Sequence, residues 1–294
     1  MGRQQASRRV RNLALTAAVV LAAAALVLSR QPGLPQPVPG GAIPGGYPSA
    51  PADTGIRRLE NPGFTVGYSA DRGAPLWVAY RARHVARATV HGRPAFAADP
   101  RVPGAPGPDA RVFGRGHDRG HMAPNYLIAN LYGRDAQRAS FRMTNITPQR
   151  PRLNQLLWQR LEEIEADNLA RHHGGLWVTV GPIYDEAGAT LPAAFYRIWT
   201  DATPDGPRAL ALRVPQDVRG DERLDAFVVS VDRIEAETGL DFHPALAPDV
   251  EKAVEAVPGD AAEWGLAALA CFPARYREDW QGRDGIRLDF ERCD

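Results

Sequence analysis

The chain reads as an α+β protein: short strands and helices around one large core, preceded by an N-terminal lead-in that belongs to neither. Three observations lead there. Composition is ordinary for a globular protein, 294 residues with 44% hydrophobic and 23% charged. Strand-like segments of β-branched and aromatic residues alternate with a long stretch of helical periodicity. The 28 Gly and 26 Pro concentrate locally instead of spreading through the chain. A wholly disordered, collagen-like or multi-pass membrane protein is excluded.

Arg3, Arg8, Arg9 and Arg11 precede an uncharged apolar run over 13–28. A positive region followed by an apolar one is the pattern of an export signal. The run is shorter than the roughly 20 residues of a spanning helix. No small-x-small cleavage site follows it directly. Residues 1–29 are therefore expected to be a signal peptide or a signal anchor, with membrane attachment through 13–29 if it is not cleaved. The chain beyond is expected in the periplasm or outside the cell. Residues 30–54 carry 7 Pro and 5 Gly without hydrophobic periodicity, which reads as a Pro/Gly-rich linker over 30–55. The domain then runs 56–294.

Within it, 64–68 and 76–83 read as strands separated by Asp71-Arg72-Gly73. Residues 99–116 are loop-like, with four prolines. Leu153, Leu156, Leu157, Leu161, Ile164 and Leu169 recur at helical spacing and predict a helix over about 153–172. Strands are expected at 176–184, 195–200, 209–214 and 227–231, and a helical turn at 235–238 stopped by Gly239. Cys271 and Cys293 are the only cysteines. In an exported chain an even pair suggests a disulfide fastening the C-terminal tail, with two unrelated thiols as the alternative.

Net charge is +1, yet the charge is segregated. Residues 1–80 carry +5, residues 81–160 carry +10, and residues 161–294 carry −14. The middle block holds 14 Arg and no Lys. A guanidinium-rich surface suits bidentate contact with phosphate, unless the acidic half folds against it and neutralises it. The densest polar stretch, Gly116-His117-Asp118-Arg119-Gly120-His121-Met122-Ala123-Pro124-Asn125, lies in this block. Its glycines and proline forbid a regular helix, so a helical zinc pair from His117 and His121 is disfavoured. A His held among Arg, Asp and Gly in this Pro-punctuated stretch is a better candidate base, because it can be held near phosphate. Asn154, Trp158 and Glu162 recur every four residues and are expected along one side of the helix. A helix N-cap for Asn154 and core packing for Trp158 are the structural alternatives.

Together, Asp118-Arg119-Gly120-His121-Met122-Ala123-Pro124, Asn145-Ile146-Thr147-Pro148-Gln149, Leu153-Asn154-Gln155 and the Trp158/Glu162 spacing resemble the DNA/RNA non-specific endonucleases, the ββα-metal nucleases. The likeness continues more weakly through 178–184 and 231–240 and covers most of 60–275. It implies a ββα-metal core with a central mixed or antiparallel sheet flanked by helices. It further implies a metal-dependent phosphodiesterase that leaves 5′-phosphate ends and acts on DNA and RNA without reading sequence. His121 would be the general base and Asn154 the direct protein ligand of Mg²⁺, with Mn²⁺ as a substitute. Glu162 would hold Asn154 or a metal-bound water, and Arg119 would stabilise the transition state. Arg93, ahead of Phe96, Asp99 and Pro100, matches an upstream catalytic Arg, with Arg87 and Arg83 as rivals. Arg87, Arg115, Arg119 and Arg150 would bind substrate. Asp118, Asn145 and Trp158 would be structural, Asp118 orienting Arg119 or its loop. Homodimers are common in the family. The competing reading is a membrane-tethered nucleic-acid-binding module without turnover, as in DNA uptake.

Overall fold

The computed structural model describes residues 43–51, 54–86, 88, 92–114, 116–186 and 189–272. Seven strands form one antiparallel sheet: β1 (Ile56–Asn61), β2 (Phe64–Ser69), β3 (Ala74–Ala82), β6 (Leu176–Ile183), β7 (Ala194–Thr203), β8 (Gly206–Pro215) and β9 (Val228–Val229), side by side in that order. Every pairing in it is antiparallel. Between β3 and β6 the chain leaves the sheet and builds a second, two-stranded ribbon from β4 (Asp118–His121) and β5 (Ile146–Gln149). Helix α1 (Asn125–Ser140) connects the ribbon strands. A continuous helical run over 151–172, here α2, follows β5. Ribbon and α2 make the ββα unit that the motifs implied.

The central strands are predominantly apolar because both faces are covered. Val78, Tyr80, Val178, Val180, Phe195, Trp199, Leu210 and Leu212 pack with Leu127, Leu153, Leu157, Trp158 and Leu161 on the α1/α2 side. Their neighbours Trp77, Ala79, Trp177, Tyr196, Ile198, Ala209 and Ala211 form a second core with Val231, Ile234 and Val254. The latter belong to α3 (Val231–Thr238) and α4 (Pro248–Glu255). This strict alternation is the two-residue period of a strand.

Several elements depart from the sequence reading. Residues 43–51 fall in the stretch expected as linker, but they are docked: Ile43 is buried, Tyr47 stacks on Trp77 at 5.5 Å, and Ser49 pairs with Asp241. One isoleucine and one tyrosine suffice to seat a strap that Pro and Gly made look featureless. Residues 227–231 were expected as one strand. The strand is Val228–Val229, and Ser230 caps α3 by accepting a hydrogen bond from Arg233 N. Helix α1 had no counterpart in the sequence reading, because Gly133 interrupts it with φ 85° and ψ −173°. The apolar run 13–29, Arg87, Arg115 and Cys293 lie outside the described residues, and with Cys293 the expected pairing to Cys271. No helix among the described residues is long and apolar enough to cross a membrane.

Helix α2 widens twice into π-type turns, at Leu153–Trp158 and Glu165–Leu169, around a regular segment Gln159–Ile164. Such turns recur at functional sites. Two buried guanidinium groups hold the helix. Arg160 donates to the carbonyls of Gly220, Glu222, Ala270 and Phe272. Arg197 on β7 pairs with Glu165, both with fully buried side chains. Glu165 also accepts from Tyr80 Oη at 2.8 Å and Trp199 Nε1 at 2.7 Å, while the guanidinium lies 4.7 Å from the Trp158 ring centroid.

Removing one charge of this pair strands the other in the core. Arg197→Met is expected to cost about 3–5 kcal/mol of stability in urea denaturation, and Arg197→Met combined with Glu165→Met to recover more than half of that loss. A double variant no more stable than the single one would contradict this account.

Candidate active site

The ribbon and α2 meet at a cleft of about 390 Å³ lined by Arg93, His121, Asn125, Tyr126, Asn154, Gln155, Gln159, Glu162 and Glu163. His121 ends β4 and is 8% exposed. Its ring packs edge-on to Phe141 at 4.6 Å and against Phe96 at 5.5 Å. Its Nε2 is buried and makes no hydrogen bond to any described residue. Burial, and then the nearby Arg93 charge, push its pKa down to about 3. The ring is therefore neutral at physiological pH, with a lone pair available.

Arg93 and Phe96 reach the site through backbone pairing. Ala97 N donates to Phe141 O, and Met143 N donates to Ala97 O. Asp99 anchors the same loop from below. It accepts from Thr144 Oγ1 at 2.7 Å and from Arg101 through Nε and Nη2, as well as from the Arg101 backbone N–H. Burial alone would raise its pKa, but these hydrogen bonds hold it at about 2. The Asn145 amide, fully buried, accepts from Ala123 N and donates to the carbonyls of Ala123 and Ser140, tying the start of β5 to the turn after His121. Gly120 is needed for a close approach. A Cβ there would stand 2.1 Å from the Gln149 amide oxygen lying across β4.

Asn154 sits in the first π-type turn, past the helix start, so it is no N-cap. Its Nδ2 donates to Asp118 Oδ2 at 3.0 Å, and Gln155 Nε2 donates to the same oxygen. Asp118 thus orients Asn154 and Gln155, where the sequence reading had it orient Arg119 or its loop. With its NH₂ held this way, Asn154 Oδ1 is left without a donor among the described residues, as a hard carbonyl oxygen for a cation. Glu162, half-buried, faces the same cleft. Burial, reinforced by Glu165 and Glu163 and opposed by Arg197 and Arg93, raises its carboxyl to about 8.

Two other side chains stand apart from the cleft lining. Arg119 shares a face of β4 with His121, but its guanidinium donates to Pro108 O and lies between the Phe96 and Phe113 rings. A carbonyl and two π-faces capture it, and it does not line the cleft. Trp158 does not share a side with Asn154 and Glu162. It is 1% exposed and packs on Phe195, because the π-type turn changes which residues face the cleft. Arg150 also lies away from the cleft, paired with Asp217 at 2.8 Å. The sequence reading did not single out Asn125, Tyr126, Gln159 or Glu163. They belong to helical stretches where no residue type marks which face meets the cleft.

An imidazole, a guanidinium, a carboxyl and an outward amide oxygen thus line one polar cleft on a ββα frame. The chain belongs to the DNA/RNA non-specific endonuclease family, whose model matches residues 44–249. It is similar to a nuclease of Nostoc sp., 26% identical over 65% of this chain and 75% of that protein. It is also similar to a nuclease of Serratia marcescens, 31% identical over 48% of this chain and 56% of that protein. Human mitochondrial endonuclease G is 28% identical over 46% of this chain and 51% of its own length. In fold it matches a chain from a crystal structure of the EndoG/EndoGI complex, with TM-score 0.60 and 20% identity, covering 70% of this chain and 91% of that one.

The His121 ring is expected to show no NMR titration near 6.5 and to protonate only at about pH 3. Its midpoint should rise in Arg93→Ala, where the neighbouring positive charge is gone. A folded pKa below the unfolded one means stability present above 6.5 and lost as pH falls towards 3. A His121 midpoint near 6.5 would remove the physical basis for its neutrality. Asp99 has the same sign over a lower window. Its contribution is lost between about 3.8 and 2, so Asp99→Asn should have a lower melting temperature and a flatter acid decline.

Proposed function

We propose that this protein is a divalent-cation-dependent endonuclease that hydrolyses DNA and RNA without sequence preference, with His121 as general base and Asn154 as the protein's cation ligand. The observation that carries this is that one cleft is lined both by His121, whose ring is held neutral between Phe96 and Phe141, and by Asn154, whose Oδ1 is freed by Asp118. The donor set fits a hard cation that keeps most of its water, since it offers a neutral amide oxygen and a nearby carboxyl in place of a thiolate or imidazole cage. When bound, such a cation, Mg²⁺ with Mn²⁺ as substitute, supplies Lewis-acid polarisation of the phosphate and neutralises charge on the leaving oxygen.

The chain's own residues do the rest. His121, held neutral between Phe96 and Phe141, takes a proton from the attacking water. Arg93 beside it stabilises the negative charge growing on the phosphate oxygens, the role that the sequence reading gave to Arg119. Glu162 orients groups around Asn154. Cleavage on the 3′-oxygen side leaves 5′-phosphate ends. Substrate is held through phosphates, so binding weakens with salt.

Incubation of the full-length protein with supercoiled plasmid and with RNA tests this reading. Degradation should require Mg²⁺, stop in EDTA and fall at least about a hundredfold in His121→Ala. Equal cleavage by that variant sinks the base assignment. Asn154→Ala should need more Mg²⁺ and turn over more slowly; an unchanged magnesium titration rejects it as the ligand. Products should accept a kinase label only after phosphatase treatment.

A further inference from the structure

Asn125 opens α1 and lines the cleft with His121, Arg93, Asn154 and Glu162, yet the scheme above gives it no task. Two side chains from outside the cleft set its orientation. Arg134 Nη1 donates to Gln137 Oε1, and also to Gly92 O. Gln137 Nε2 then donates to Asn125 Oδ1 at 2.9 Å. A guanidinium has donors and no acceptor. The end of Gln137 facing Arg134 must therefore be its oxygen, and the end facing Asn125 its NH₂. By the same logic the end of Asn125 facing Gln137 is its oxygen. One cation thus sets the direction of both amides, and Asn125 is left with donors alone for the cleft. Gln137 is 2% exposed, so water does not relax the order.

This relay exists only because the helix is broken. Asn125 and Gln137 are 12 positions apart, which in a straight helix means about 18 Å. Gly133, with φ 85°, folds the second half of α1 back until the two amides meet. The backbone there is left-handed, a region that favours glycine.

We propose that Asn125 is a substrate-binding residue, donating to a non-bridging oxygen of a phosphodiester next to the scissile one, with Gln137 and Arg134 as positioning residues; this rests on the nuclease reading. A phosphodiester offers acceptors and no donors, which matches the donor-only end of Asn125. A neutral donor also binds an anion without competing for the cation's ligands.

The test uses full-length His121→Ala as a non-cleaving parent, in EDTA. Fluorescence anisotropy follows a labelled oligothymidylate and an abasic sugar-phosphate oligomer of equal length. Asn125→Ala should weaken both about tenfold, the scale of one hydrogen bond to a charged group, at unchanged melting temperature. In Gln137→Glu the carboxylate still accepts from Arg134 but has nothing to donate, so Asn125 turns its oxygen outward. Binding should weaken several-fold through a residue that never touches substrate, and the effect should vanish when Asn125→Ala is already present. Undiminished affinity in Asn125→Ala overturns the proposal. A loss confined to oligothymidylate overturns the phosphate assignment in favour of a base contact. A parent that binds neither oligomer, beside a wild type that leaves plasmid intact, removes the nuclease reading and the proposal with it.

Discussion

Between the long helix and the central sheet, the Arg197 guanidinium and the Glu165 carboxylate meet where neither reaches water. Desolvating two charges is costly, and their attraction offsets it only when the geometry is closely held. Here it is held from three elements: Tyr80 on β3, Trp199 beside Arg197 on β7, and the Trp158 ring on α2. A helix packed on a sheet by leucines alone can slide by a methyl group at small cost. One that carries a buried carboxylate to a single guanidinium has one register. Asn154 and Glu162 are presented by that same helix, so the precision of the cleft begins in the core beneath it.

The cleft is prepared from outside inward, by groups that never enter it. Asp118 takes the NH₂ of Asn154 and leaves its oxygen outward. Arg134 and Gln137 do the converse for Asn125. Phe96 and Phe141 bury the His121 ring until it stays neutral. Each device selects one of two states open to an ambivalent group, an amide end or a protonation state. Restraint of that kind lowers the reorganisation left for the moment of reaction.

Much of the sheet was legible in the sequence. Strands buried on both faces are mostly apolar, and β6, β7 and β8 read so apart from a few polar positions such as Thr179, Arg197 and Arg213. Helix α2 was legible through its leucines, and the DRGH, NITPQ and LNQ motifs marked the ribbon and the site. Helix α1 was hidden, because a left-handed Gly133 inside a helix looks like its end. The docked strap 43–51 was hidden by its own prolines and glycines, since two apolar side chains carry the contact and neither forms a pattern. Arg119 looked equivalent to Arg93 as a charge, and only the position of the Pro108 carbonyl separates them.

What the sequence determined by itself is chemical identity: the residue types at the site, their order, and the apolar periods that commit each segment to strand or helix. Those follow from local spacing, which a linear text contains. The tertiary structure alone decided orientation: which arginine enters the cleft, which end of each amide faces it, and that Trp158 turns to the core. These depend on hydrogen bonds and packing between residues distant in the chain, such as Asp118 with Asn154 and Glu165 with Arg197. A side chain's direction is a property of its neighbours in space, and the sequence names those neighbours without saying where they meet.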